Sequence, residues 1–251
     1  MAREEFYTSN QNTNVRTNET AVLSGTKFIG ATFLYFALAL LITFAVVGGL
    51  GALLTLNGEA ITSEANINTF LTLYIFAIIA YIPVLIWVHI AARRNGKSVG
   101  VGFFVYSIVL GIIIAPAVLL VPIQAVLIAF GSTVLAFAVM ALIAWTTKKN
   151  LSGLAVVGFG LIIGALILSI VNFIFYLFVG FEPLYWLVSF LFFIAIILFT
   201  LFDLKRVQEI AMNGGAERSV AFICALNLYV DFIYIFIRLL RIIVIIMGNK
   251  R

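Results

Sequence analysis

Apolar residues in this chain come in long uninterrupted blocks, and the polar residues collect between them. Blocks at 27–56, 68–92, 154–179 and 184–204 each reach the roughly 20 residues that a helix needs to cross about 30 Å of hydrocarbon. From Val99 to Thr147 the apolar sequence is nearly continuous, about twice the length of one crossing. Pro116 and Pro122 divide it into 99–119 and 122–147, since proline favours turns and the first position of a helix. A seventh block, 219–247, is interrupted by Asn227, Asp231, Arg238 and Arg241. A helix so polar cannot face lipid all round, which predicts that it lies inside the bundle with the others packed about it.

The pattern therefore predicts an all-α integral membrane protein, a seven-transmembrane-helix bundle with a central C-terminal helix. Residues 1–26 form a polar, mobile cytoplasmic tail, and 27–251 form a single membrane domain. Period-2 alternation, the mark of a membrane barrel, is absent. Pro83 predicts a kink in the second span. Gly160 and Gly164 stand at the small-xxx-small spacing that lets helices approach.

Composition agrees: 64% of residues are hydrophobic and 10% charged, whereas a soluble domain has about half and about a quarter. The formal charge of +5 is distributed rather than clustered. Lys27 with the tail arginines, Arg93, Arg94 and Lys97, then Lys148 and Lys149, then Lys205, Arg206 and Arg218 occupy alternate connections. That alternation puts the N-terminus in the cytoplasm and explains the charge without nucleic acid. Seven crossings would leave Lys250 and Arg251 outside, against the same rule. The earlier spans dominate orientation, so seven crossings are preferred over a re-entrant last segment. The tail has no apolar core or cleavage site and does not read as a signal peptide. A plain basic tail and a short chain suit a bacterial inner (plasma) membrane. The lone cysteine, Cys224, excludes a disulfide within the chain and argues against a thiolate metal site.

Three stretches resemble the transmembrane Bax inhibitor motif (Bax inhibitor-1-like) family. The first is Ala129-Phe130-Gly131-Ser132-Thr133, continuing through Phe137-Ala138-Val139 to Thr147-Lys148-Lys149-Asn150-Leu151-Ser152. The second is Leu198-Phe199-Thr200-Leu201-Phe202-Asp203, and the third runs from Ala225 through Asp231 to Arg241. The resemblance implies a seven-helix fold with a central last helix, and a pH-sensitive calcium leak governed by paired aspartates. On that pattern Phe202 stands where a tyrosine usually precedes the first aspartate. The family's basic residue at the inner end of the second span falls at Arg93, or with a one-residue slip at Arg94. The acid that some members carry in the second span has no counterpart here, where Tyr81 and Pro83 lie nearby.

Asp203 and Asp231 are the only aspartates in the chain. Asp231 lies mid-block, where an unpaired carboxylate costs about 2.5–3.5 kcal/mol on insertion scales. Two carboxylates in hydrogen-bonding reach cannot easily both ionise, so they share a proton and become a proton-sensitive latch, with Arg93 as a competing ion-pair partner. Calcium suits such a site because hard cations prefer oxygen, and the aspartates would hold it only transiently. No resident cofactor is expected; lipid, calcium, protons and a possible membrane-protein partner are the expected company.

A structural reading stays open beside this one. Asp203 could pair with Arg206 at i+3, and Asp231 could bond Asn227 at i−4. Asn227, Asn172, Arg206 and Arg94 are candidate pore or network polar residues; Asn172, Gln124, Ser132 and Thr133 serve interhelical hydrogen bonding equally well. His89 reads as an interfacial residue. Arg238 and Arg241 lie at least seven residues beyond Asp231, about 10.5 Å of rise, and read as snorkelling to the outer interface. No catalytic motif is present. Two functional classes outside channels remain: a non-conducting scaffold that regulates another membrane protein, and a proton-coupled exchanger.

Overall fold

The computed structural model describes residues 22–55, 63–93, 98–148, 151–180 and 183–248. Within them the chain forms helices α1 (Gly25–Thr55), α2 (Glu64–Arg93), α3 (Ser98–Leu119), α4 (Ile123–Thr146), α5 (Ser152–Val179), α6 (Tyr185–Met212) and α7 (Arg218–Gly248). The first six are long and apolar enough to cross a membrane. Large side chains such as Val156, Phe159 and Phe178 face outward, as a lipid-facing bundle requires. This is a helical integral membrane protein.

Pro122 stands at the N-cap of α4 and makes the division in the long apolar stretch. Pro116 falls inside the last turn of α3, whose helix closes just beyond it with Leu120 N–H on the Pro116 carbonyl. Helix α2 continues through Pro83 without a break.

Two expected boundaries move. Helix α6 extends to Met212, eight residues past the end of its apolar block, because Val207 is buried and packing continues where hydrophobicity has thinned. Asp203 consequently sits within a helix and not at its end. Regular structure also begins ahead of residue 27. Val22–Leu23 (β1) pairs antiparallel with Ala216–Glu217 (β2), in register Val22↔Glu217 and Leu23↔Ala216, and α1 begins at Gly25. This small ladder is the one departure from all-α structure among the described residues. It depends on glycine: Gly215 has φ 89°, and a Cβ there would lie 1.8 Å from the Leu23 carbonyl oxygen. The first 21 residues lie outside the described region.

Helix α7 is continuous over 31 residues and packs against α1, α2, α3, α4 and α6. Its buried residues, among them Ala221, Leu226, Tyr229, Phe232 and Ile235, cover more than half of its circumference, with Tyr234 exposed on the remaining face, so with five helices packed on it the C-terminal helix is central as its polar content predicts. Aromatic rings hold it in place. Phe232 lies 5.7 Å from Phe36 and 5.6 Å from Phe137, and one turn on Phe236 meets Phe44 at 5.6 Å. Aromatic pairs at such separations contribute about 0.5–1.5 kcal/mol beyond area burial.

A polar pin fixes the register of α7 against α1. The Tyr229 hydroxyl bonds the Thr43 hydroxyl at 2.5 Å, and Thr43 also donates to the Ser107 carbonyl of α3 at 3.1 Å. Tyr229→Phe keeps the ring and removes this bond. It is expected to cost about 1 kcal/mol, the scale of interhelical hydrogen bonds in membranes, read as a lower thermal midpoint of the purified protein. An unchanged midpoint would mean that ring packing alone sets the register.

Candidate functional site

Asp203 lies on α6 and Asp231 on α7, two consecutive helices that pack against each other in antiparallel sense. In such a pair the sum of facing residue numbers is nearly constant, and two cross-helix contacts obey this: Asp203 with Asn227, and Thr200 with Asp231. The two rungs are one helical turn apart, about 4.5–6 Å along the axis. Asp231 lies within the field of the Asp203 carboxyl across that gap.

The surroundings of the two carboxyls differ. Asp203 has a carboxamide donor in Asn227 and the guanidinium of Arg206 three residues along its own helix. Arg206 is exposed, so its charge is shared with solvent. Asp231 meets the Thr200 hydroxyl, and its Oδ2 is closed off with no hydrogen-bond partner. Thr200 is itself fully buried and donates to the Ile196 carbonyl at 2.8 Å. A hydroxyl has one proton. While Thr200 uses it on Ile196, it can meet Asp231 only as an acceptor.

The structure therefore rearranges the local contacts expected from spacing. Arg206 does stand beside Asp203. Asn227, however, turns across to Asp203 instead of bonding Asp231 along α7. Thr200 supplies a member of the site that helix spacing could have indicated, since Thr200 and Asp203 are i,i+3 and Asn227 and Asp231 are i,i+4. The thiol of Cys224, one turn before Asn227, lies within the field of both Asp203 and Arg206. Among the described residues no group of three or more His, Cys, Asp or Glu side chains comes together, so nothing here resembles a resident metal centre. A resident calcium takes six to eight oxygen ligands.

Arg93 ends α2 in an exposed position, and the cation beside Asp203 is Arg206 instead. Arg94 lies outside the described residues. Asn172 is in α5, remote from the aspartates, where its Oδ1 accepts from Leu184 N–H at 2.9 Å at the entry to α6. His89 bonds the Leu85 carbonyl of its own helix at 2.9 Å. Lys205, expected as a topology-setting charge, is buried, and its Nζ donates to the Thr147 carbonyl at 2.7 Å and to Gln208 Oε1 at 2.9 Å.

A family model described as "Bax1-I: Inhibitor of apoptosis-promoting Bax1" matches residues 25–250, nearly the whole chain and every helix described above. The chain belongs to the Bax inhibitor-1-like transmembrane family. Among its relatives, an "uncharacterized membrane protein" of Streptococcus pyogenes serotype M6 is 34% identical over 155 residues, 61% of this chain and 66% of the relative. The inner membrane protein YbhL of Escherichia coli K12 is 29% identical over 154 residues, 59% of this chain and 62% of YbhL. The chain thus covers slightly less than two thirds of these relatives. A Lactococcus lactis protein, YrjE, is 28% identical over 179 residues, 70% of this chain and 75% of the relative. Within the family, this chain carries its two aspartates on the penultimate and last helices.

Proposed function

We propose that this protein is a pH-sensitive cation leak, with calcium as the permeating ion, gated by the Asp203–Asp231 pair. On this reading it is no enzyme. Seven helices cross the inner (plasma) membrane with the N-terminus cytoplasmic, and α7, long enough at about 46 Å of rise, makes the seventh crossing.

The observation that carries the reading is the pair of adjoining rungs, with one carboxyl oxygen of Asp231 closed off and unsatisfied. A proton held between the carboxyls satisfies that oxygen and removes the repulsion of two charges in a poorly solvated space. Loss of the proton leaves two negative charges about one turn apart. The helices then respond by separating, by drawing in a cation, or by re-pairing Asp203 with an arginine such as Arg206 or Arg93. Calcium is suited because its coordination is flexible and favours carboxylate and carbonyl oxygen. The kinship with the Escherichia coli inner membrane protein favours the same membrane.

Purified protein reconstituted in sealed vesicles loaded with a calcium indicator tests the reading. A leak carries calcium down its gradient, with a rate that depends on pH, and stops at equilibrium. Absence of flux at every pH would make the protein a non-conducting scaffold for another membrane protein. Uphill movement driven by an imposed pH gradient would make it a proton-coupled exchanger.

A further inference from the structure

At the end of α6 remote from Asp203, a cavity of about 270 Å³ opens between α5, α6 and α7. Its polar lining is Ser169 and Asn172 of α5, Tyr185 and Ser189 of α6 and Arg238 of α7. Three features give it one chemical sense. Arg238 is half-buried, with no carboxylate beside it among the described residues; its charged neighbour is Arg241, one turn on. The Tyr185 hydroxyl is closed off from solvent with no hydrogen-bond partner. Arg241 lies over the Tyr185 ring at 5.1 Å, which holds a second guanidinium at the same place. The cavity also lies against the first turn of α6, whose free N–H groups carry partial positive charge.

A guanidinium only donates, and its planar fork matches the oxygens of a phosphate. Buried Ser189 adds a hydroxyl to the same cavity, and the unpartnered Tyr185 hydroxyl, shut off at its wall, reaches an anion there after a small shift of its side chain. A half-buried arginine with no carboxylate beside it among the described residues carries an uncompensated charge, and an anion compensates it. We infer that this cavity is a binding site for a phosphoryl oxyanion, held by Arg238 and the Tyr185 hydroxyl with Arg241 flanking. A lipid headgroup and free phosphate present the same chemistry. Since the cavity opens where the bundle leaves the hydrocarbon, either can reach it.

The full-length protein is placed in phosphatidylcholine nanodiscs, and two probes are applied separately. Inorganic phosphate is titrated at constant ionic strength while thermal unfolding is followed. In discs containing phosphatidylglycerol, native mass spectrometry counts the anionic lipids retained. A site for free anion responds to the first probe, and a headgroup site to the second. In either arm Arg238→Gln and Tyr185→Phe are expected to weaken binding, the arginine variant about tenfold or more. Arg238→Lys should recover part of the loss, because it restores the charge without the fork. Lys27→Gln, which removes an exposed cation at the far end of α1, should bind as wild type does. Equal binding by wild type and Arg238→Gln in both arms overturns the inference, as does an equal loss in Lys27→Gln. So does a wild type that binds neither probe while Glu182→Gln and Arg238→Gln lower its thermal midpoint equally. That result would make Glu182 the counter-ion in place of a bound anion.

Discussion

Asp231→Asn is expected to abolish the pH response of calcium flux and leave the bundle folded. The substitution keeps the shape of the side chain and fixes it in a neutral state that cannot release a proton. Wild-type flux governed by one proton changes by up to about tenfold per pH unit through the titration. The variant should change by less than about twofold over the same range. Folding is preserved because Asp231 is held chiefly by packing: Phe232 and Ile233 beside it and Leu228 one turn before are buried. An asparagine at 231 also removes the possibility of a buried, unpaired charge, so thermal stability should hold or rise. Asp203→Asn should flatten the response as well, since a shared proton needs two carboxyls. Its effect on stability should be smaller, because Asp203 already has Asn227 and Arg206 as partners. If both variants keep flux and its pH response, the two aspartates are packing residues and the latch reading fails.

Lys205→Met is expected to give the largest loss of stability from a single side chain outside the aromatic core. Lys205 is only 7% exposed, and its ammonium group reaches the end of α4. The last carbonyls of a helix have no intrahelical partner and carry partial negative charge, so a cation there is favourable. Lys205 Nζ donates to the Thr147 carbonyl, just past the end of α4, and to Gln208, whose Nε2 donates in turn to the Trp145 carbonyl at 3.2 Å. Methionine fills much of the same space and donates nothing. The change therefore strands a carbonyl and an amide oxygen, at a cost of about 1.5–3 kcal/mol for a charge-assisted contact. In a chain of this size that corresponds to about 3–12 °C in the thermal midpoint. A shift of less than about 1 °C would show that solvent or lipid headgroups replace the lysine at no cost.

The one-dimensional pattern carried much of the architecture. Each apolar block became a helix, and Pro122 marked the break in the long run. The polar content of the last block forecast its central position, because a helix carrying Asp231, Arg238 and Arg241 has no stable place against lipid. The pattern misplaced the end of α6. A hydropathy boundary marks where lipid contact ends, and α6 continues for two turns among protein neighbours. It also left the β1–β2 ladder unseen, since a two-residue strand has no periodicity and forms only when Gly215 lets the chain return to Leu23.

The candidate site divides in the same way. Rarity singled out Asp203 and Asp231, the only aspartates in a chain dominated by apolar residues. Membrane energetics singled out Asp231 as the member that needs a partner. Which partner each one takes was settled by the antiparallel register of α6 on α7, which assigns Asn227 to Asp203 and Thr200 to Asp231. Local spacing alone had offered Asn227 to Asp231. Lys205 and Arg238 changed meaning for the same reason. In sequence they are one charge of a basic segment and one interfacial arginine; in space the first caps α4 and the second faces a cavity with an unpartnered tyrosine hydroxyl. The sequence by itself determined that the chain is a bundle of membrane helices, which helix is central and which carboxyls are exceptional, because burial cost depends on residue type and block length. Only the tertiary structure decided which side chains meet, because that depends on the rotation and register of neighbouring helices, and a block of uniformly apolar residues encodes neither.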